Sequence, residues 1–187
     1  HPDRDTSSPH ERLHPPAWRT EGWSEPEGTL PSLLSEAGYR TIHVGKAHFG
    51  AIGTPGADPT KLGFDVNIAG HAAGAPGSYL GRHAFTAGQR RGDGRPSVWD
   101  VPGLEEVHGS DVYLTDVLAT KANEEVRRAV ADGKPFFLHF APYAVHTPIM
   151  PHPDRVGGYD DLEPREAAYA SMIEAVDAAL GSIVTTI

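Results

Sequence analysis

The chain predicts an α/β fold, a mostly parallel sheet flanked by helices. Three features carry that expectation. An apolar helical stripe that stops at Gly38 leads at once into the apolar run 41–44, and a second stripe that stops at Gly133 leads into the run 135–141. Tight helix-to-strand steps of this kind build parallel sheets. A third stripe, beginning near Glu163-Pro164, supplies a further covering helix.

Residues 1–28 are rich in Pro, His and charge and show no helical or strand period, which predicts an irregular arm. Trp18 and Trp23 are expected to anchor that arm on the core. The first helix begins at Thr29, an N-cap residue, with Pro31 in the first turn where its missing N–H costs nothing. Leu30, Leu33, Leu34 and Ala37 would form its buried face. Residues 51–109 are dominated by glycine and proline, with one candidate strand at 64–69. So long a stretch is either functional or disordered. Its Tyr79, Leu80, Phe85 and Trp99 favour a folded insertion.

The second helix is expected over 111–132, capped by Ser110. Leu114, Val117, Leu118, Ala122, Val126, Ala129 and Val130 form its stripe. The run 135–141 is apolar on both faces, as suits a central parallel strand. In the last helix the stripe is Tyr169, Met172, Ile173, Val176, Leu180, Ile183, Val184 and Ile187.

Composition narrows the function. The 187 residues suffice for one domain with a core. Lys+Arg 16 against Asp+Glu 25 gives a net charge of −9 with no basic block, which argues against nucleic acid as the main partner. A small anionic substrate stays compatible, because a few local cations outweigh a distant negative surface. Without cysteine there is no disulfide, no thiolate nucleophile and no cysteine metal site. No apolar run approaches the roughly 20 residues of a membrane span, and no signal-peptide pattern opens the chain. His1 in place of Met, and a helical pattern still running at Ile187, point to an internal piece of a longer protein.

The chemistry gathers after the two strands. Lys46 and His48 follow Gly45; residues two apart in an extended segment face one side, so both would address one point. Ligands of open α/β sheets bind beyond the carboxyl ends of the strands. A cation and an imidazole there suit sulfate or phosphate, and His146, beyond the second strand, would join them. Each could equally be a surface side chain taken alone. His71, in a glycine-rich loop, is a candidate for lining the substrate pocket or a solvated histidine. That loop lacks the Lys-Ser/Thr of a phosphate-binding P-loop. His43 and His139 read as satisfied core or interface histidines, Asp160-Asp161 as a solvated turn, and Arg90-Arg91 as a loop tip. No histidine pair is spaced for zinc on a helix.

These residues lie in ordered motifs. Thr29 to Leu34, then Gly38-Tyr39-Arg40-Thr41 and Gly45-Lys46-Ala47-His48-Phe49-Gly50, resemble the helix, "AGYRT", strand and "GKxHxG" run of the sulfatases. Lys134-Pro135-Phe136-Phe137-Leu138 through His146-Thr147-Pro148 resembles that family's "KPFFLxxxxxxxHTP" run, and Tyr169 to Glu174 its following helix. The resemblance covers nearly the whole chain and is weakest between Gly81 and Val107.

It implies an alkaline-phosphatase-like α/β fold, with 1–187 as the central portion of a catalytic domain, and hydrolysis of a sulfate ester of a small molecule or saccharide. The lysine matched by Lys46 would hold a sulfate oxygen. The histidine matched by His48 would contact a formylglycine nucleophile and help regenerate its aldehyde. The one matched by His146 would face the sulfate and the leaving-group oxygen as donor or general acid. Ca2+ would complete the site, and export, secreted or periplasmic, is the family's habit.

The departures are equally plain. The C/S-x-P-x-R nucleophile motif is absent, Ser7-Ser8-Pro9 having no arginine at the right place. The paired aspartates and the Asp-Asn pair of the calcium site are missing too. The chain is therefore expected to supply the sulfate-binding half of a site and to be inactive alone. A phosphodiesterase or phosphonate hydrolase of the same superfamily, or a non-catalytic binding module, are the competing expectations.

Overall fold

The computed structural model describes residues 22–23, 25–86 and 97–187. Trp18, Ser7-Ser8-Pro9 and Arg90-Arg91, with most of the expected arm, lie outside the described residues. Three parallel strands form the sheet: β1 (Arg40–Gly45), β2 (Val66–Ile68) and β3 (Phe136–Ala141), in the order β2-β1-β3. The helices are α1 (Leu30–Glu36), α2 (Leu114–Ala131) and α3 (Pro164–Thr186). This is the α/β arrangement that the two helix-to-strand steps predict.

β1, not β3, is the central strand. From Thr41 to Gly45 every residue of it is buried, whereas β3 is half-buried throughout, having β1 on one side only among the described residues. Alternation along the strands separates two faces. Ile42 and Val44 of β1, with Phe136, Leu138 and Phe140 of β3, pack into the main core beside Leu114, Leu118 and Met172 of α2 and α3. Thr41 and His43, with Phe137 and His139, turn to the other face, where Phe49 and Phe64 stack on His139 and meet His43 edge to face. A cavity of about 310 Å³ opens on that face between this aromatic group and Leu30 and Pro31 of α1.

Several stripe assignments change. Thr29 caps α1 as expected, accepting the Ser32 N–H at 3.2 Å, and its own hydroxyl donates to the Leu62 carbonyl at 2.7 Å. Yet α1 buries none of its residues, and Leu30 and Leu33 are exposed, because two turns rest on the sheet rim instead of on the core. Trp23 is 57% exposed and covers no core. The second helix starts later than expected, at Leu114; Ser110 donates to the Val107 carbonyl in the preceding turn, and Val130 faces out.

In α3 the buried face is Ala167, Ala168, Ser171, Met172, Ala175, Ala179 and Ile183. Small residues let α3 come close to α2, where Asn123 donates to the Ser182 hydroxyl at 2.7 Å. Tyr169, Ile173, Leu180, Val184 and Ile187 consequently stay exposed. At 23 residues, α3 is by length and composition apolar enough to cross a membrane, although the sequence shows no unbroken apolar run of that length; its alanine face is packed inside the fold. The 51–109 stretch is folded where described. It contributes β2 to the sheet and Tyr79, Leu80, Phe85, Val101 and Leu104 to the core.

Two polar devices fasten β1. At its start Arg40 pairs with the buried Glu125 of α2 at 2.7 Å, and Arg128 bonds the same carboxylate. At its end His43 Nε2–H donates to the Gly45 carbonyl at 3.0 Å, so its Nδ1 accepts from His139 Nδ1–H at 3.0 Å. Both rings are then neutral. Burial drives the His43 pKa down to about 4, with the Gly45 bond opposing and the nearby His139 adding to the fall.

Two outcomes follow for stability. His43 binds its proton near 6.5 when unfolded but only near 4 when folded, so its contribution is intact above pH 6.5 and is lost as pH falls from there toward 4. Chemical denaturation at pH 7.5 and 5.0 should show a loss of about 2 kcal/mol from this group that His43→Gln largely removes. An unchanged pH slope in the variant contradicts the assignment. Gly45 has φ +104°, and a Cβ on it would lie 2.1 Å from the Ala141 carbonyl oxygen. Gly45→Ala should therefore cost at least about 2 kcal/mol by denaturant midpoint; a cost under about 0.5 kcal/mol would show that the two strand ends separate freely.

Candidate active site

The three strands run parallel, and the register pairs Gly45 with Ala141 and Val44 with Ile68. All three therefore deliver their following loops to one edge of the sheet, the carboxyl edge where such folds bind ligands. Lys46 is the first residue past β1. Its backbone N–H donates to the Ala141 carbonyl at 2.7 Å, which sets it against the exit of β3. The side chain is half-buried, and among the described residues its ammonium has no hydrogen bond and no ion pair. A half-buried cation without a partner is the strongest anion-attracting feature at this edge.

His48 does not continue an extended segment. Its φ is +57°, so two-residue alternation fails to explain where it stands. Instead its N–H donates to the His71 carbonyl at 3.0 Å, and its ring lies over Gly74, where a Cβ would come within 2.6 Å of Nδ1. Gly74 is thus a seat for an imidazole. His71, three residues past β2, is brought beside His48 by that backbone bond. It is half-buried, with its ring 6.2 Å from that of Tyr143 and its Nε2 unpartnered among the described residues. Burial lowers the His71 pKa from its ordinary value, the Asp100 charge opposes, and His48 adds to the fall.

His146 is exposed, in the loop that follows β3. Its Nδ1–H donates to the Thr147 carbonyl at 3.0 Å, which leaves Nε2 free to act on a ligand. No hydrogen bond among the described residues joins its ring to Lys46, His48 or His71. What the fold does fix is the loop backbone. Its N–H donates to the Tyr143 carbonyl at 3.0 Å, and its carbonyl accepts the Tyr79 hydroxyl at 2.9 Å. Tyr79 stacks on Tyr113 with centroids 5.5 Å apart, and the Tyr113 hydroxyl donates to the Met150 carbonyl at 2.8 Å. Further along, the buried His152 bonds Asp116 of α2 at 2.7 Å. The Tyr143 hydroxyl donates to the Ala69 carbonyl at 2.7 Å, tying the β3 loop to the β2 loop. Burial raises the pKa of all three phenols, so each remains a donor.

Sequence reasoning missed these braces. Tyr79 was legible only as an aromatic residue in a glycine-rich stretch, and nothing in its spacing ties it to a carbonyl 67 positions away. Of the two strand histidines expected in the core or at an interface, His43 is fully buried, while His139 is half-buried and lines the cavity beside α1. Asp160-Asp161 stands in an exposed turn before α3. No group of three or more His, Asp or Glu able to hold a metal ion occurs among the described residues.

Comparison with known proteins places this edge in context. The sequence model of the Sulfatase family matches residues 6–187. N-acetylgalactosamine-6-sulfatase of Canis lupus familiaris is 29% identical over 175 residues, 88% of this chain and 30% of that protein. The Sus scrofa protein of the same name is 29% identical over 174 residues, 87% of this chain and 30% of that protein. Among solved structures, Ps i-CgsB in complex with k-i-k-neocarrahexaose superposes with a TM-score of 0.69 at 26% identity, over 90% of this chain and 38% of that one. The chain thus spans about 30% of the length of the curated relatives it matches. With a family match over nearly its full length and the α/β topology of its solved neighbours, this chain belongs to the sulfatase family.

Proposed function

We propose that the intact protein is a sulfuric ester hydrolase acting on a sulfated saccharide or aryl sulfate, and that this chain is the central portion of its catalytic domain. The observation that carries this is the unpartnered, half-buried ammonium of Lys46 at the carboxyl edge, inside the family's "GKxHxG" run. In this reading Lys46 binds a sulfate oxygen, and charge-assisted bonds of that kind contribute roughly 1.5–3 kcal/mol each. His146, whose Nδ1–H is spent on the Thr147 carbonyl, faces the sulfate with Nε2; when Nε2 carries the ring's second proton it passes that proton to the leaving oxygen, and the ring is left neutral. His48, seated on Gly74, handles protons beside Lys46, and His71 contacts the remainder of the substrate.

The names of the relatives support a saccharide sulfate: two are N-acetylgalactosamine-6-sulfatases, and a solved neighbour holds a neocarrahexaose. The family resemblance also implies a formylglycine nucleophile and Ca2+. The described residues offer neither a ligand cluster for the metal nor a C/S-x-P-x-R run, so no step is assigned through them here. Residues 1–187 by themselves are accordingly proposed to lack turnover.

The test is kinetic. In the intact protein, Lys46→Ala should lower kcat/KM on 4-nitrophenyl sulfate by at least about a hundredfold, the scale of losing one oxyanion donor. Unchanged kinetics would remove Lys46 from the site. Assayed side by side, an aryl phosphodiester turned over faster than the aryl sulfate would favour the phosphodiesterase alternative, and turnover of neither would favour a binding module.

A further inference from the structure

We propose that Tyr79 is a positioning residue for the reaction: its hydroxyl, bonded to the His146 carbonyl, fixes where the His146 ring stands and so governs proton delivery to the leaving oxygen. This rests on the sulfatase reading above, in which His146 is the proton donor, and it assigns a second residue to that step.

The way residue 146 is held carries it. The His146 ring is exposed, and its hydrogen bonds go only to its neighbour: Nδ1–H donates to the Thr147 carbonyl at 3.0 Å, with the Thr147 hydroxyl 3.2 Å from the same nitrogen. Its N–H donates to the Tyr143 carbonyl at 3.0 Å, again inside the loop. Among the described residues, the Tyr79 hydroxyl at 2.9 Å is the one hydrogen-bond partner that reaches residue 146 from another segment. Ring and backbone are coupled there. The His146 carbonyl and the Thr147 amide share one peptide plane, and the ring leans on the next carbonyl along. Tilting that plane swings the Thr147 carbonyl and takes Nε2 with it.

Tyr79 is well placed to hold the plane still. It is fully buried, its ring stacks on Tyr113 with centroids 5.5 Å apart, and its carbonyl accepts the Leu114 N–H at 2.8 Å. An antiparallel bridge between Leu80 and Tyr113 fastens the next residue as well. The hydroxyl is thus presented from a frame anchored on the start of α2, not on the loop it grips. Burial keeps the phenol protonated, so it stays a donor to the carbonyl. A general acid must stand within about 2.6–3.2 Å of the atom it serves, and a misplacement of about 1 Å costs on the order of a hundredfold. Without the Tyr79 bond, residue 146 keeps only hydrogen bonds inside its own loop, which order the ring less narrowly. The loss falls on proton delivery. Lys46 is placed by its own bond to Ala141, in which Tyr79 has no part.

The experiment measures kcat and KM of the intact protein on 4-nitrophenyl sulfate and phenyl sulfate, for wild type, Tyr79→Phe, His146→Ala and Ser182→Ala. 4-Nitrophenolate leaves as a stable anion, whereas the more basic phenolate depends on receiving a proton. Tyr79→Phe keeps the ring, its stack and the backbone bond to Leu114, and thermal unfolding checks that each variant folds. Ser182→Ala removes a buried partner of Asn123 between α2 and α3 and stands for lost stability alone. In Tyr79→Phe the fall on phenyl sulfate should exceed the fall on 4-nitrophenyl sulfate by about fivefold or more, a fraction of what a general acid supplies and less than in His146→Ala. The fall should lie in kcat, with KM within about twofold of wild type. Ser182→Ala should treat the two esters alike. Equal falls on both esters in Tyr79→Phe, while His146→Ala tells them apart, overturn the positioning role and leave the proton-donor reading standing. The same discrimination in Ser182→Ala overturns it too, as an effect of stability. If His146→Ala does not tell the esters apart, or wild type cleaves only the activated one, His146 is no proton donor and both readings fall. A wild type that cleaves no sulfate ester at all sinks the sulfatase reading itself, and is seen before any variant is made.

Discussion

The close approach of β1 and β3 at their carboxyl ends governs the rest of this structure. Gly45 has a left-handed φ and no Cβ, so its backbone can lie against Ala141 at a distance no other residue tolerates. The Lys46 N–H then reaches the Ala141 carbonyl. That contact decides where β1 stops, where its lysine emerges, and how near the loop carrying His146 begins. One step back, His43 bonds the Gly45 carbonyl and His139, so the same turn is braced from beneath by two neutral imidazoles. A charged ring in that place would push the two strand ends apart.

Around this point the polar groups divide into two kinds. Those below and beside the edge are satisfied: Tyr79, Tyr113, Tyr143 and His152 each spend their donors on a carbonyl or a carboxylate and hold loops in place. Those at the edge are not. Among the described residues, the Lys46 ammonium, the His146 Nε2 and the His71 Nε2 are left over. A frame of braced loops around a few unmet groups is what preorganised binding requires, since the frame bears the ordering cost before a ligand arrives. Tyrosine suits the framing role because its ring fills core volume while its hydroxyl reaches a carbonyl beyond it.

Much of the fold was legible because its cues are local. Thr29 and Pro31 start a helix, Gly38 and Gly133 end two, and the short apolar runs after them read as strands. The stripes of α1 and α3 misled because periodicity says which residues share a face and not what that face meets. In α3 the large residues Tyr169, Ile173 and Leu180 looked like the core side, but Ala168, Ala175 and Ala179 won it. Two helices approach closest over small side chains, and closeness to α2 outweighed the larger apolar area on the other side. The family motifs placed Lys46, His48 and His146 on loops past strands. They did so without the left-handed turn at His48, which no count of residues from Gly45 reveals.

By itself the sequence determined the order of helices and strands, the parallel direction of the sheet, and the residue types that pass its carboxyl edge, because those depend on neighbours a few positions apart. Only the tertiary structure decided which strand is central, which helix face is buried, and that the Tyr79 hydroxyl should meet the His146 carbonyl. Such choices rest on contacts between segments tens of residues apart, where shape and unmet hydrogen bonds select the partner and no local period carries the information.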